Sequence, residues 1–80
     1  MSDKYRAPIR GEIWKEVDPR IERYVRIESV NPHGVKIQTV EFSEKHGWLA
    51  KPRTRETLTA PERFNGKRGG YAFHHGVADG

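Results

Sequence analysis

Two alternating apolar runs joined by one turn signal constrain this chain more than any other feature. Arg23 to Val30 (Arg-Tyr-Val-Arg-Ile-Glu-Ser-Val) places Val25 and Ile27 on one face of an extended strand and Tyr24, Arg26 and Glu28 on the other. Val35 to Phe42 (Val-Lys-Ile-Gln-Thr-Val-Glu-Phe) repeats the period. Asn31-Pro32-His33-Gly34 lies between them, with Gly34 able to take a positive φ. Runs this close predict an antiparallel hairpin in which Val35 and Ile37 match Val25 and Ile27. After Gln38 the apolar positions change parity, to Val40 and Phe42. That switch predicts a bulge or sharp bend near Thr39.

The flanks extend the β pattern. Gly11 to Val17 alternates at Ile13, Lys15 and Val17, but Trp14 breaks the alternation, which predicts a bent strand with both faces in contact. Asp18-Pro19-Arg20 is a turn, since Pro19 cannot continue a central strand. Ser43 to Arg53, with Gly47, Trp48 and Pro52, reads as an exposed connection. Thr54 to Thr59 reads as a fourth strand, Ala60 to Phe64 as a 3-10 turn, Asn65 to Gly70 as a flexible basic loop, and Tyr71 to His74 as the last strand. Short strands without an amphipathic helix predict a mainly β fold, a small five-stranded SH3-like barrel with a 3-10 turn before its final strand. The expected domain is 11–75. Residues 1–10 form a flexible N-terminal tail in this reading, and 76–80 a disordered C-terminal one.

Gly11-Glu12-Ile13-Trp14, then Asp18-Pro19-Arg20, the Val/Ile-rich hairpin, Arg63-Phe64 and Gly70-Tyr71 together resemble a family of short, uncharacterised bacterial and phage domains. Those read Gly-x-Val-Trp, Asp-Pro-Arg, a hairpin, Arg-Phe/Leu and Gly-Tyr, and resemble SH3-like barrels of the KOW or Tudor type. The resemblance covers Gly11 to about His74. The longer Ser43 to Arg53 stretch with Trp48 departs from the pattern. The resemblance implies a fold and no established activity, so no catalytic residue is carried over.

The composition excludes several chemistries. The chain has 80 residues and no cysteine, which removes disulfides, thiolate metal sites and cysteine nucleophiles. A chain of this length supports one thin core. The start, Met-Ser-Asp-Lys-Tyr-Arg, lacks the apolar run of a signal peptide, and no segment is suited to a membrane; a cytoplasmic protein is the expectation. The histidines His33, His46, His74 and His75 show no metal-ligand spacing, and His74 and His75 fall on opposite faces of a strand. No metal and no cofactor are expected. There is no nucleophile elbow, no phosphate-binding loop in the right context and no paired-carboxylate motif, so the chain reads as a binding module and not as an enzyme.

What it binds is narrowed by charge. Fifteen basic against eleven acidic residues leave a net +4, which favours phosphates or acidic protein surfaces. The denser basic set is Lys51, Arg53, Arg55, Lys67 and Arg68, in two loop-like stretches that can follow a phosphate backbone. Trp48 precedes the first of them. It can stack on a base, anchor a protein contact, or close one end of the barrel. Arg20, Tyr24 and Arg26 form a second candidate patch, with Lys36 and Gln38 across the hairpin; the same residues also suit a solvated outer face. Arg20 can instead pair with Asp18 or Glu16. The leading expectation is a nucleic-acid-associated module acting through basic loops. The alternative is a protein-interaction adaptor, or a phage-encoded inhibitor, docking on an acidic partner.

Overall fold

The computed structural model describes residues 7–76, so the outer parts of the two expected tails, 1–6 and 77–80, lie outside the described residues. Six strands and one 3-10 turn follow in order: β1 (Ile13–Glu16), β2 (Tyr24–Asn31), β3 (Gly34–Ser43), β4 (Gly47–Ala50), β5 (Thr57–Thr59), the turn Pro61–Arg63, and β6 (Tyr71–His75). They make one open antiparallel sheet in the order β4-β3-β2-β1-β6, with β5 also paired to β3. The mainly β expectation is met. The count of five strands is corrected to six, because the connection after Ser43 contains β4.

The hairpin forms with a two-residue loop, Pro32-His33, between the paired Asn31 and Gly34. Asn31 Oδ1 accepts from the His33 amide at 3.1 Å, the local bond that makes Asn favourable at such a turn. Gly34 has φ 156°, and a Cβ there would lie 3.0 Å from Leu58 Cγ. Its lack of a side chain therefore lets β5 approach. Ile27 pairs with Ile37 as anticipated, but Val25 faces Thr39 and Val35 faces Val30. The irregularity sits at Glu28 in β2, between Ile27 and Ser29, and not near Thr39. The parity switch in β3 has another cause. This strand buries both faces: Val35 and Ile37 on one, Gln38 and Val40 on the other.

One edge of β3 carries β4 and β5 end to end. Ala50 pairs with Val40 and Thr57 with Ile37, so six residues, 51–56, leave and rejoin an edge over a gap of two β3 residues. Lys51 N still donates to Thr39 O at 2.9 Å. The rest, including the first half of the expected fourth strand, forms a loop. Gln38 Nε2 reaches into that loop and donates to Thr54 Oγ1 at 2.7 Å, which explains why an amide is buried here.

The core is small and aromatic. Trp14, Val25, Ile27, Val35, Ile37, Phe64 and Tyr71 form its buried cluster. The Trp14 ring meets Phe64 edge-on at 5.0 Å, and Phe64 stacks on Tyr71 at 5.3 Å. Burying a large apolar side chain contributes roughly 1.5–3 kcal/mol, so these rings carry much of the fold. Ile13 and Trp14 are both buried, as a bent β1 requires, and the β1–β6 register shifts between them. Part of the expected N-terminal tail is held as well. Pro8 is buried, and Ile9 O accepts from Glu12 N at 3.0 Å. The loop expected to be flexible, Asn65 to Gly70, is pinned by bonds from Arg63 Nη2 to Gly69 O (2.7 Å) and from Gly66 N to Tyr71 O (2.8 Å).

No helix among the described residues is long and apolar enough to cross a membrane.

Candidate functional site

The sheet curls enough for its outer strands to touch through side chains. Trp48 on β4 and His74 on β6 lie at opposite ends of the strand order, yet their rings are 5.8 Å apart. Tyr24 on the central β2 lies between them, 5.2 Å from Trp48 and 5.0 Å from His74. Phe42 on β3 completes the group, edge-on to Trp48 at 5.3 Å. The pairing dictates this cluster. Phe42 and Trp48 are directly opposite in the β3–β4 ladder, and Tyr24 is opposite Val40, so all share the face that the parity of β3 turns away from the core. Phe42 is 61% exposed, and with the Trp48 ring against it forms an aromatic patch on the surface.

Beside the cluster lies an open depression of about 990 Å³, floored by Tyr24, Val40, Phe42, Trp48 and His74. Lys51, Arg55 and Arg23 border it, with Glu22 and Glu41. Arg23 is committed within the fold: Nη1 lies 3.4 Å from Glu16 Oε1, and Nε donates to Thr39 Oγ1 at 3.3 Å. Lys51 and Arg55 form no ion pair among the described residues. Their charge is available to a ligand.

Of the residues that the sequence marks as candidates, the structure unites Trp48, Tyr24, Lys51 and Arg55 at this depression. Trp48 is half-buried on a strand and not displayed on a loop tip. Arg26 stands behind it, donating from Nε to Glu28 Oε2 at 2.7 Å and from Nη1 to the Trp48 carbonyl at 3.5 Å. The register does place Tyr24, Arg26, Lys36 and Gln38 on one face, but that face is not an open basic surface. Gln38 is buried, and Lys36 turns to Glu56 at 3.9 Å.

Arg53 is exposed at the tip of its loop and does not line the depression. Lys67 and Arg68 do not line it either; their loop joins the end of β1, where Val17 N donates to Gly70 O at 2.9 Å. Arg20 belongs to this second region. Its amide donates to Asp18 Oδ1 at 3.0 Å, and its guanidinium lies 3.4 Å from the same atom. These bonds and the nearby Arg68 charge hold the Asp18 carboxyl below its ordinary 3.8. Asp18-Pro19-Arg20 thus builds a turn, while the Arg20 side chain stays 87% exposed.

Nothing in the sequence marks Phe42 or His74 as a site residue. Phe42 reads as an apolar strand position and His74 as one of two adjacent histidines on opposite faces of a strand; the curl of the sheet brings His74 to Trp48, the ladder partner of Phe42. Among the described residues no group of three potential ligands gathers for a metal ion.

Comparison with protein-family models, with curated proteins and with solved structures finds no match. The functional reading therefore rests on the aromatic depression and its cations.

Proposed function

We propose that this chain is a small basic module that binds single-stranded nucleic acid on the Tyr24–Phe42–Trp48–His74 face. The observation that carries this reading is the joining of a solvent-facing aromatic cluster with two cations, Lys51 and Arg55, that lack an ion-pair partner among the described residues. Unpaired bases have flat faces that stack on aromatic rings, and neighbouring cations neutralise phosphates; together they bind a strand without reading its sequence. A duplex hides its base faces and suits this surface less.

We also propose an SH3-like architecture. If β4 and β5 are counted as one interrupted strand, five strand positions remain, in the order β6-β1-β2-β3-β4/β5. The 3-10 turn Pro61–Arg63 before the last strand and the contact between outer strands favour the same reading. On this view the resemblance to short bacterial and phage domains is one of architecture.

Tryptophan fluorescence tests the binding proposal directly. Trp14 is fully buried and Trp48 is not, so a titrated strand quenches Trp48. Oligothymidylate or oligouridylate is expected to quench emission at low salt, with affinity falling linearly on a logarithmic salt scale. Replacing Lys51 or Arg55 by Gln should lower that slope by about 0.7 for each phosphate left without its cation. No quenching and no gel shift at low salt would overturn the proposal. Capture of one stoichiometric protein partner that survives nuclease treatment would replace it with the adaptor reading.

A further inference from the structure

Phe42 and Trp48 do not simply floor one depression. They form a ridge between two. On the far side lies a second hollow of about 490 Å³, lined by Gly11, Ile13, Arg26, His46 and His75 together with Phe42 and Trp48 themselves. Both volumes fall within the roughly 300–1,000 Å³ typical of pockets that take small molecules. Each hollow therefore has room for a nucleobase, and the same two rings offer it a wall.

The two sides differ chemically. The larger hollow carries Lys51 and Arg55, which form no ion pair among the described residues, beside the carboxylates Glu22 and Glu41. In the smaller one the guanidinium of Arg26 is already held by Glu28 at 2.7 Å. Its remaining polar lining comes from His46 and His75, both exposed. His46 sits on the turn between β3 and β4, and His75 ends β6 opposite Ile13, so the hollow is assembled from separate strands. The lining lysine and arginine side chains that lack an ion pair are thus on one side of the ridge only. The other offers an apolar floor and imidazole rings that stack and hydrogen-bond.

From this asymmetry we infer that a bound single strand crosses the Phe42–Trp48 ridge, placing one base in each hollow, with its phosphates anchored beside Lys51 and Arg55 and its far base held by His46 and His75. This inference rests on the nucleic-acid reading above and adds a minimum ligand length and a direction of anchoring. Phe42 then has a reason for its exposure: the strand arches over it, with at least one nucleotide between the two bases that enter the hollows, so a dinucleotide is too short to fill both.

Oligothymidylates of two to eight nucleotides, titrated at low salt with Trp48 fluorescence as the readout, test it. Affinity should rise between the dinucleotide and a length that spans the ridge, by about fivefold or more, the least expected from one further stacked base. The double variant His46→Ala, His75→Ala should bring the ratio of hexamer to dimer affinity close to one. Arg55→Gln should weaken every length by a similar factor. Circular dichroism of each variant checks that the sheet is intact. Affinity that does not grow beyond the dinucleotide, or a histidine double variant with the wild-type length dependence, would overturn the two-hollow arrangement while leaving single-strand binding in place. Absence of binding at every length would remove the underlying reading, and this inference with it.

Discussion

A buried carboxylate needs donors, and Glu12 finds them close by. Its Oε1 accepts from the Ile9 amide at 2.9 Å and from the Trp14 indole at 3.1 Å. One oxygen thus serves both the entry of the chain and the largest ring of the core. Glu12→Ala would leave two donors without that acceptor, and an unsatisfied buried donor costs about 1–3 kcal/mol. The variant is expected to lose about 2–4 kcal/mol in urea unfolding, with Glu12→Gln, which keeps a carbonyl oxygen, losing less. An unchanged urea midpoint for Glu12→Ala would refute this. The sequence offered no sign of the role. Glu12 reads, like Lys15 and Glu16, as one more charged residue near a strand. Its burial depends on the turn at Ile9–Glu12 folding the chain back towards β2.

At the scale of elements, the hairpin was legible and its surroundings less so. Val25, Ile27 and Ile37 announce a half-buried strand pair by period alone, and Asn31 to Gly34 announces the turn. The 3-10 turn after Ala60 and the last strand were also readable, from Pro61 and from Tyr71-Ala72-Phe73. β4 was not, because Gly-Trp-Leu-Ala is four residues long and too short to display a period. The candidate site was half legible for the same reason. Trp48, Lys51 and Arg55 are close in sequence and stay together, whereas Lys67 and Arg68 resemble them in composition but lie outside the depression.

The loop after β4 also carries local strain. Arg53 has φ 66°, unfavourable for a residue with a Cβ, and follows Pro52 in a turn closed by Thr54 N to Lys51 O at 3.3 Å. Proline second and a positive φ third is the pattern of a type II turn, which favours glycine in the third place. Arg53→Gly should therefore stabilise the fold by up to about 1 kcal/mol, read as a higher thermal midpoint. A lower midpoint would show that the Arg53 side chain contributes more than its backbone costs.

For the molecule as a whole, acid is the informative stress. Asp18 is held below its ordinary 3.8 in the folded chain, chiefly by the Arg20 amide and side chain and then by Arg68. A lowered folded value contributes stability above the unfolded value, and that contribution is lost as pH falls through the folded one. Wild type should therefore exceed Asp18→Asn in stability at neutral pH, and the difference should shrink as the pH is taken below 3.8. Urea midpoints across that range check the direction; a gap that widened on acidification would contradict it. Protonating Asp18 also strips the compensating charge from Arg20 and Arg68 in a chain that already carries +4. The excursion of residues 51–56 from the edge of β3 has a separate consequence at this scale. Because the chain leaves and resumes the same edge, adding residues there lengthens a closed loop without shifting any strand register, and loop-closure entropy grows only slowly with length. With Thr54 kept as the partner of the buried Gln38 amide, ligand preference can change there at little cost to the fold. A library randomised between Ala50 and Thr57, with Thr54 held constant, could select new specificities on the same scaffold, much as variable loops do on antibody frameworks.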